Sequence, residues 1–186
     1  GLARLGQRPG LKALAEVAKA QAPFTPYHLG FVFGPRINAG GRVGEANLGV
    51  RLLTAEDPRE GAEIAQRLDQ LNDERRAIEQ TMLEEAISML DAEPQSDAAL
   101  AFVARDGWHA GVIGIIASRL KERYSRPALV AAIVDGIAKG SGRSVPGFDL
   151  GAAILAARQS GLLINGGGHV MAAGFKGDIH AVNPRH

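Results

Sequence analysis

Three short segments of this 186-residue chain combine glycine with cationic or hydroxyl side chains. Residues 139–144, KGSGRS, bring Lys139, Ser141, Arg143 and Ser144 together around two glycines. Residues 165–169, NGGGH, run Gly166, Gly167 and Gly168 into His169. Residues 35–42, PRINAGGR, hold Arg36, Asn38 and Arg42. Exposed N–H groups, hydroxyls and a guanidinium are the donors a phosphate oxygen needs. Glycine lets a main-chain N–H point at an anion with no Cβ in the way. Each segment also has a plainer reading: a polar turn at a strand end, a tight turn with a hydrogen-bonded histidine, a loop fixed by its asparagine. A fourth segment, DGWHAGVIG at residues 106–114, places Trp108 and His109 at a strand-to-helix junction. There Trp108 suits packing better than base stacking, and His109 either caps the helix or reaches a ligand.

Other chemistries lack their residues. The five histidines are His28, His109, His169, His180 and His186. None forms a helix-borne pair or sits beside an acidic partner at ligand spacing, and no Asp-x-Asp occurs. A two-metal phosphoesterase centre needs several carboxylates and histidines to converge, so no metal site is expected in this chain. There is no cysteine, which excludes disulfides and thiolate ligands and is compatible with a reducing compartment. No Gly-x-Ser-x-Gly elbow is present, and Ser141 and Ser144 have no visible base. No catalytic residue is assigned to this chain.

The net charge is +1, so the chain as a whole is not a polybasic nucleic-acid binder. Its 21 basic residues are mostly arginine, which suits bidentate contacts to phosphate, so their distribution matters more than their total. No apolar run is long enough to span a bilayer, and no membrane partner is expected. The first ten residues, GLARLGQRPG, have no signal-peptide core and no initiator methionine. A cytoplasmic location is expected.

The elements that must position these segments follow from punctuation and periodicity. Pro9 predicts a helix start, with Leu11, Leu14, Ala15 and Ala18 on one face. Thr25-Pro26 and Asp57-Pro58 repeat that start signal. The glycine-rich stretch after Phe31 reads as an ordered loop, and residues 45–53 as a short helix. From Pro58 to about Asp91 the positions Ile64, Leu68, Leu71, Ile78, Met82 and Met89 form one face of a long helix, with Arg75 interrupting it. Its length of roughly 50 Å fits either a bundle helix or a connector between domains. EPQSD, residues 93–97, is a composition break and the expected boundary. Beyond it, residues 99–104 read as a buried strand and residues 110–124 as a helix with a small-residue face of Gly111, Gly114 and Ala117. Residues 128–134 read as a second strand, which makes a right-handed parallel unit with the first. Asp135-Gly136 predicts a tight turn into a third, antiparallel strand over residues 137–144. Asp149 is the expected cap of a helix ending near Arg158. The expected fold is α/β: N-terminal connector helices over residues 1–92, then a mixed, mostly parallel sheet with flanking helices over residues 93–186.

Taken together, the segments GPRINAGGRVGEANLGVRLL, LDQLNDERRAIEQ, WHAGVIGIIASRLKERYSRPALV, AKGSGRSVPGFDL and NGGGHVMAAGF resemble, in this order, the RecJ family of single-stranded-DNA-specific exonucleases. The glycine-histidine motif alone is shared with the wider DHH phosphoesterase superfamily. The resemblance implies a 5′→3′ exonuclease of DNA repair and recombination. It implies a catalytic DHH domain holding two Mn²⁺ or Mg²⁺ ions, then a long helix and a DHH-associated domain that grips single-stranded DNA. This chain resembles the part after the catalytic domain and stops before the oligonucleotide-binding-type domain of typical members. The fragment alone is therefore expected to be inactive, with the N-terminal catalytic domain of the same protein as its partner. Carried over position by position, Arg36, Asn38, Arg42, Ser141, Arg143, Ser144, Gly166, Gly167, Gly168 and His169 are expected to face nucleic acid, with His109 as a further channel residue. Two alternatives stay open: a non-catalytic nucleic-acid-binding scaffold, and a phosphoesterase acting on small nucleotides.

Overall fold

The structure, a computed structural model, describes residues 7–92 and 98–178. The chain divides within its long helix into two compact units, Gly1–Ala77 and Ile78–His186. The boundary expected at residues 93–97, and His180 and His186, lie outside the described residues. Among the described residues no helix is long and apolar enough to cross a membrane.

The first unit is helical. Helix α1 (Pro9–Val17) starts on its proline and buries Leu11, Leu14 and Ala15. Proline fits there because the first helical N–H has no partner to lose. Pro26 starts a continuous helical run whose middle, His28–Phe33, winds as a π-helix. His28 Nδ1 accepts from the Thr25 N–H at 3.1 Å and so caps that start. The run continues as α2 (Gly34–Val43), where an ordered loop was expected. Glycine content argues against helix by propensity. Here it serves packing: a Cβ at Gly40 would stand 2.8 Å from the Glu45 carbonyl and 3.2 Å from Leu68. Helix α3 (Leu48–Thr54) and the first part of α4 (Pro58–Ala92) complete a core of Leu14, Phe33, Ala39, Leu52, Leu68 and Leu71.

The second unit holds the last turns of α4 and a five-stranded sheet. Met82 and Leu90 on α4 are buried, while Met89, expected on the apolar face, is 36% exposed. Strands β1 (Ala101–Asp106), β2 (Ala128–Val134), β3 (Ile137–Arg143), β4 (Asn165–His169) and β5 (Ala172–Asp178) lie in the order β1-β2-β3-β5-β4. β1 and β2 are parallel and joined through α5 (Ile113–Tyr124). The other three pairings are antiparallel, so the sheet is mixed but not mostly parallel. The reason is that NGGGH is not a turn. It is edge strand β4, and the turn at Val170-Met171 folds it back on β5.

Asp135 (φ 52°) and Gly136 (φ 74°) form the expected tight turn between β2 and β3. Two consecutive positive φ values match the right-handed twist of a hairpin, which is why Asp-Gly is favoured there. Helix α6 (Leu150–Gln159) starts at Asp149, whose carboxylate accepts from the Ala152 N–H at 2.9 Å. The two helices cover opposite faces. α5 lies against β2 and β3. α6 packs Leu150 and Ile154 against Ala131, Ala138, Ala173 and Phe175 on the other side.

Candidate nucleic-acid interface

Strand alternation sorts the candidate residues by face. On β3 the even positions Ala138, Gly140 and Gly142 face α6. A Cβ at Gly142 would meet Leu129 and Leu150, and one at Gly140 would enter the Phe175 ring. The odd positions Lys139, Ser141 and Arg143 face the other way. Register then builds three rows across β3, β5 and β4: Lys139–Lys176–Asn165, Ser141–Gly174–Gly167 and Arg143–Ala172–His169. Among the described residues α5 covers β2 and β3 but not β5 or β4, whose residues on this face are open. Asn165, Gly167, His169, Gly174, Lys176 and Lys139 are all exposed.

The result is a bare floor with a cationic rim. A Cβ on Gly167 would meet nothing within 4 Å, and one on Gly174 only a carbonyl oxygen at 3.8 Å. Internal packing gives neither position a reason to be glycine. A concavity of about 370 Å³ lies here, lined by Asn165, Gly166, Gly167, Gly174, Phe175 and Lys176. Lys176 lines it, and register places Lys139, Arg143 and His169 in the rows at the two ends of the floor. The one acid on this face of β3–β5 among the described residues is Asp178, a row further out opposite Ile137.

Arg143 is held ready rather than consumed. Its Nη1 donates to Ser141 Oγ at 3.1 Å and to the Gly142 carbonyl at 2.8 Å. Among the described residues it meets no carboxylate. Gly114 in the first turn of α5 makes room for it: a Cβ there would stand 3.1 Å from both Arg143 Nη2 and Ser141 Oγ. The small-residue face of α5 thus lets the guanidinium lie beside a helix N-terminus, where anions are favoured. His109 opens that turn by accepting the Gly111 N–H on Nδ1 at 3.1 Å, so it caps the turn while remaining exposed. Trp108 packs, as its type favours. It is 6% exposed, and its Nε1 donates to Glu85 at 2.7 Å.

Two expected contact residues are used by the fold instead. Ser144 is buried, and its hydroxyl donates to the Phe148 carbonyl at 2.7 Å. Its N–H donates to the Met171 carbonyl, so it ties the loop before α6 to the β4–β5 hairpin. Arg36 donates through Nε to Asp69 at 2.7 Å and through Nη1 to the Val32 carbonyl at 2.9 Å. It is a half-buried clamp between α2 and α4. Asn38 and Arg42, four apart on α2, share an exposed face of the first unit.

The glycine triplet also divides. A Cβ at Gly166 would stand 2.7 Å from Ile154 of α6, and one at Gly168 would strike the Ala172 carbonyl. These two permit close packing, and only Gly167 belongs to the open floor. In the sequence Lys139 and Asn165 stand out only as members of their motifs, and Lys176 lies outside any of them. The alternation in AAGFKGD, with Ala173, Phe175 and Gly177 buried, is the signal that places Lys176 beside Gly174.

Among the described residues no group of three or more His, Cys, Asp or Glu side chains could hold a metal ion. The ions implied by the resemblance therefore find no ligand set there.

Residues 95–183 match the DHHA1 domain family. The chain is 42% identical over 175 residues to the single-stranded-DNA-specific exonuclease RecJ of Escherichia coli, covering 90% of this chain and 30% of that protein. It is 42% identical over 180 residues to the RecJ of Bacillus subtilis, covering 94% of this chain and 22% of that one. The crystal structure of Thermus thermophilus RecJ with Mn²⁺ superposes with a TM-score of 0.84 at 34% identity, over all of this chain and 27% of the other. The chain thus spans less than a third of the length of these relatives. The chain matches the region of RecJ that carries the DHHA1 domain, and it has the N-terminal helices, the long helix and the mixed sheet of that structure.

Proposed function

We propose that this chain is the substrate-gripping part of a RecJ-type 5′→3′ single-stranded-DNA exonuclease that acts in cytoplasmic DNA repair and recombination. The observation that carries this reading is the open face of β3, β5 and β4, a glycine floor ringed by Arg143, Lys139, Lys176 and His169. A nucleic-acid strand needs phosphate donors at its edges and flat space for sugar and base, and this face offers both. Arg143, oriented by Ser141, takes a phosphate oxygen, and His169 donates from the opposite end of the same row. Asn38 and Arg42, on the exposed face of α2 in the first unit, supply a nucleic-acid contact of their own. Phosphodiester hydrolysis uses two Mn²⁺ or Mg²⁺ ions held by a catalytic domain outside this chain. What this chain contributes is position: a strand held in one register presents its scissile bond at a fixed place.

Arg143→Ala tests the reading in the intact protein, with EDTA present so that no strand is cut. A single-stranded contact contributes about 0.7 to the slope of log affinity against log salt. Between 50 and 200 mM salt the variant should therefore lose about 2.6-fold less affinity than the wild type. An unchanged slope refutes the phosphate role. Purified alone, the 186-residue chain should show no Mn²⁺-dependent nuclease activity.

A further inference from the structure

Resting on that reading, we infer that Lys139 and Lys176 form a second phosphate subsite, at the opposite end of the glycine floor from Arg143. The two residues are direct cross-strand partners on β3 and β5, and both are exposed. The chain has only five lysines, so placing two of them side by side is not the by-product of a lysine-rich surface. Like charges directly opposite each other destabilise a sheet. Among the described residues neither lysine has an ion-pair partner. Asp178 is the nearest acid by register, on the diagonal from Lys139, and one carboxylate does not neutralise two ammonium groups. The row ends at Asn165, whose Oδ1 accepts its neighbour's N–H at 2.8 Å, leaving its amide nitrogen as a further donor.

Geometry gives the subsite its meaning. Lys139 and Arg143 are four residues apart on one strand, about 13 Å. Phosphates of one stacked strand recur about every 3.4 Å of axis, so the two subsites are about four stacked steps apart, and fewer for a stretched strand. Gly167 and Gly174 lie in the middle row, where the intervening sugars and bases need space. The ligand is therefore a single strand several nucleotides long, engaged at two phosphates with bare backbone between. A mononucleotide reaches one subsite at a time.

The test uses the intact protein in EDTA, with fluorescence anisotropy on a labelled dodecathymidylate from 50 to 200 mM salt. The variants are Lys176→Gln, Lys176→Glu and Arg143→Ala. Both Lys176 variants should bind more weakly and lose about 0.7 from the salt slope. In the free protein, Lys176→Gln should melt no lower than wild type. Lys176→Glu should melt up to about 4 °C higher, because a cross-strand ion pair replaces a repulsion. Wild-type affinity and slope in both Lys176 variants, with Arg143→Ala impaired, overturn the second subsite and leave the grip at Arg143 standing. A lower melting temperature in Lys176→Gln also overturns it, because the lysine would then be stabilising the sheet rather than serving a ligand. An unimpaired Arg143→Ala refutes the parent reading instead.

Discussion

Adjacent glycines in one motif should respond oppositely to the same substitution. Gly166 and Gly167 are neighbours on β4, and strand alternation sends their missing side chains to opposite faces. A methyl on Gly166 would stand 2.7 Å from Ile154 Cγ2 and 3.5 Å from Leu163 Cδ1. Ile154 is 5% exposed and fixed in the core beneath α6, so the methyl overpacks a filled space. Overpacking costs about 1–3 kcal/mol. A methyl on Gly167 meets nothing within 4 Å, and the residue is not at positive φ. Alanine there restricts the unfolded chain without strain, a gain of about 0.4–1 kcal/mol. For a chain of this size each kcal/mol shifts the melting temperature by about 2–4 °C. Gly166→Ala should therefore melt about 2–12 °C lower and Gly167→Ala about 1–4 °C higher, read by differential scanning calorimetry. The stabler variant should bind single-stranded DNA less well, because its methyl rises from the floor. Equal destabilisation by both would show that the glycines are needed for backbone conformation, and would refute the division of the triplet between two faces.

Three further outcomes follow from the geometry. Asp149→Ala removes the cap bond to Ala152 and should cost about 0.5–2 kcal/mol in chemical denaturation, with Asp149→Asn restoring most of it. Arg36→Ala should lower stability by about 1–3 kcal/mol through loss of the Asp69 and Val32 bonds. Its DNA salt slope should stay at the wild-type value, whereas Arg143→Ala changes the slope. Tyr124 has its pKa raised by burial first and by its 2.6 Å bond to Asp91 second, so the folded state holds that proton more tightly than the unfolded state. Its contribution is complete below the ordinary tyrosine value of about 10 and is lost as pH rises through the higher folded value. Denaturation midpoints measured from pH 9 upward should fall less steeply in Tyr124→Phe.

Local rules decided how much of the fold was legible. Prolines 9, 26 and 58 and Asp149 start helices because their chemistry is settled within one turn, and all four starts stand. Strand β2 and the Asp135-Gly136 turn were equally plain, the first a run of buried aliphatics and the second a dipeptide suited to positive φ. Helix α2 was not legible, because glycine's propensity argues against helix while its value for close packing appears only once Leu68 and Glu45 are in place. The same blindness hid β4. Three glycines read as a turn, and the close approaches that favour glycine in this strand, of Gly166 to Ile154 on α6 and of Gly168 to the Ala172 carbonyl, appear only in the fold. With β4 read as a turn, the antiparallel pairings of β5 with β3 and β4 could not be foreseen.

The same blindness governs the site. Arginine and serine beside glycine are good phosphate ligands, but they are equally good at locking a backbone, and residue type does not separate the two uses. Burial and partners do. Arg36 has a carboxylate at 2.7 Å and Ser144 a carbonyl at 2.7 Å, so each already holds what a phosphate oxygen would have to displace. Among the described residues Arg143 hydrogen-bonds only a neighbouring hydroxyl and a carbonyl of its own strand, both of which orient it without neutralising it. Lys176 carries the lesson in reverse. Nothing in its sequence neighbourhood resembles a phosphate motif, yet register sets it opposite Lys139 and beside the glycine floor. Among the described residues no carboxylate pairs with either lysine, so in the proposed reading the counter-charge of this cationic pair is a phosphate of the bound strand.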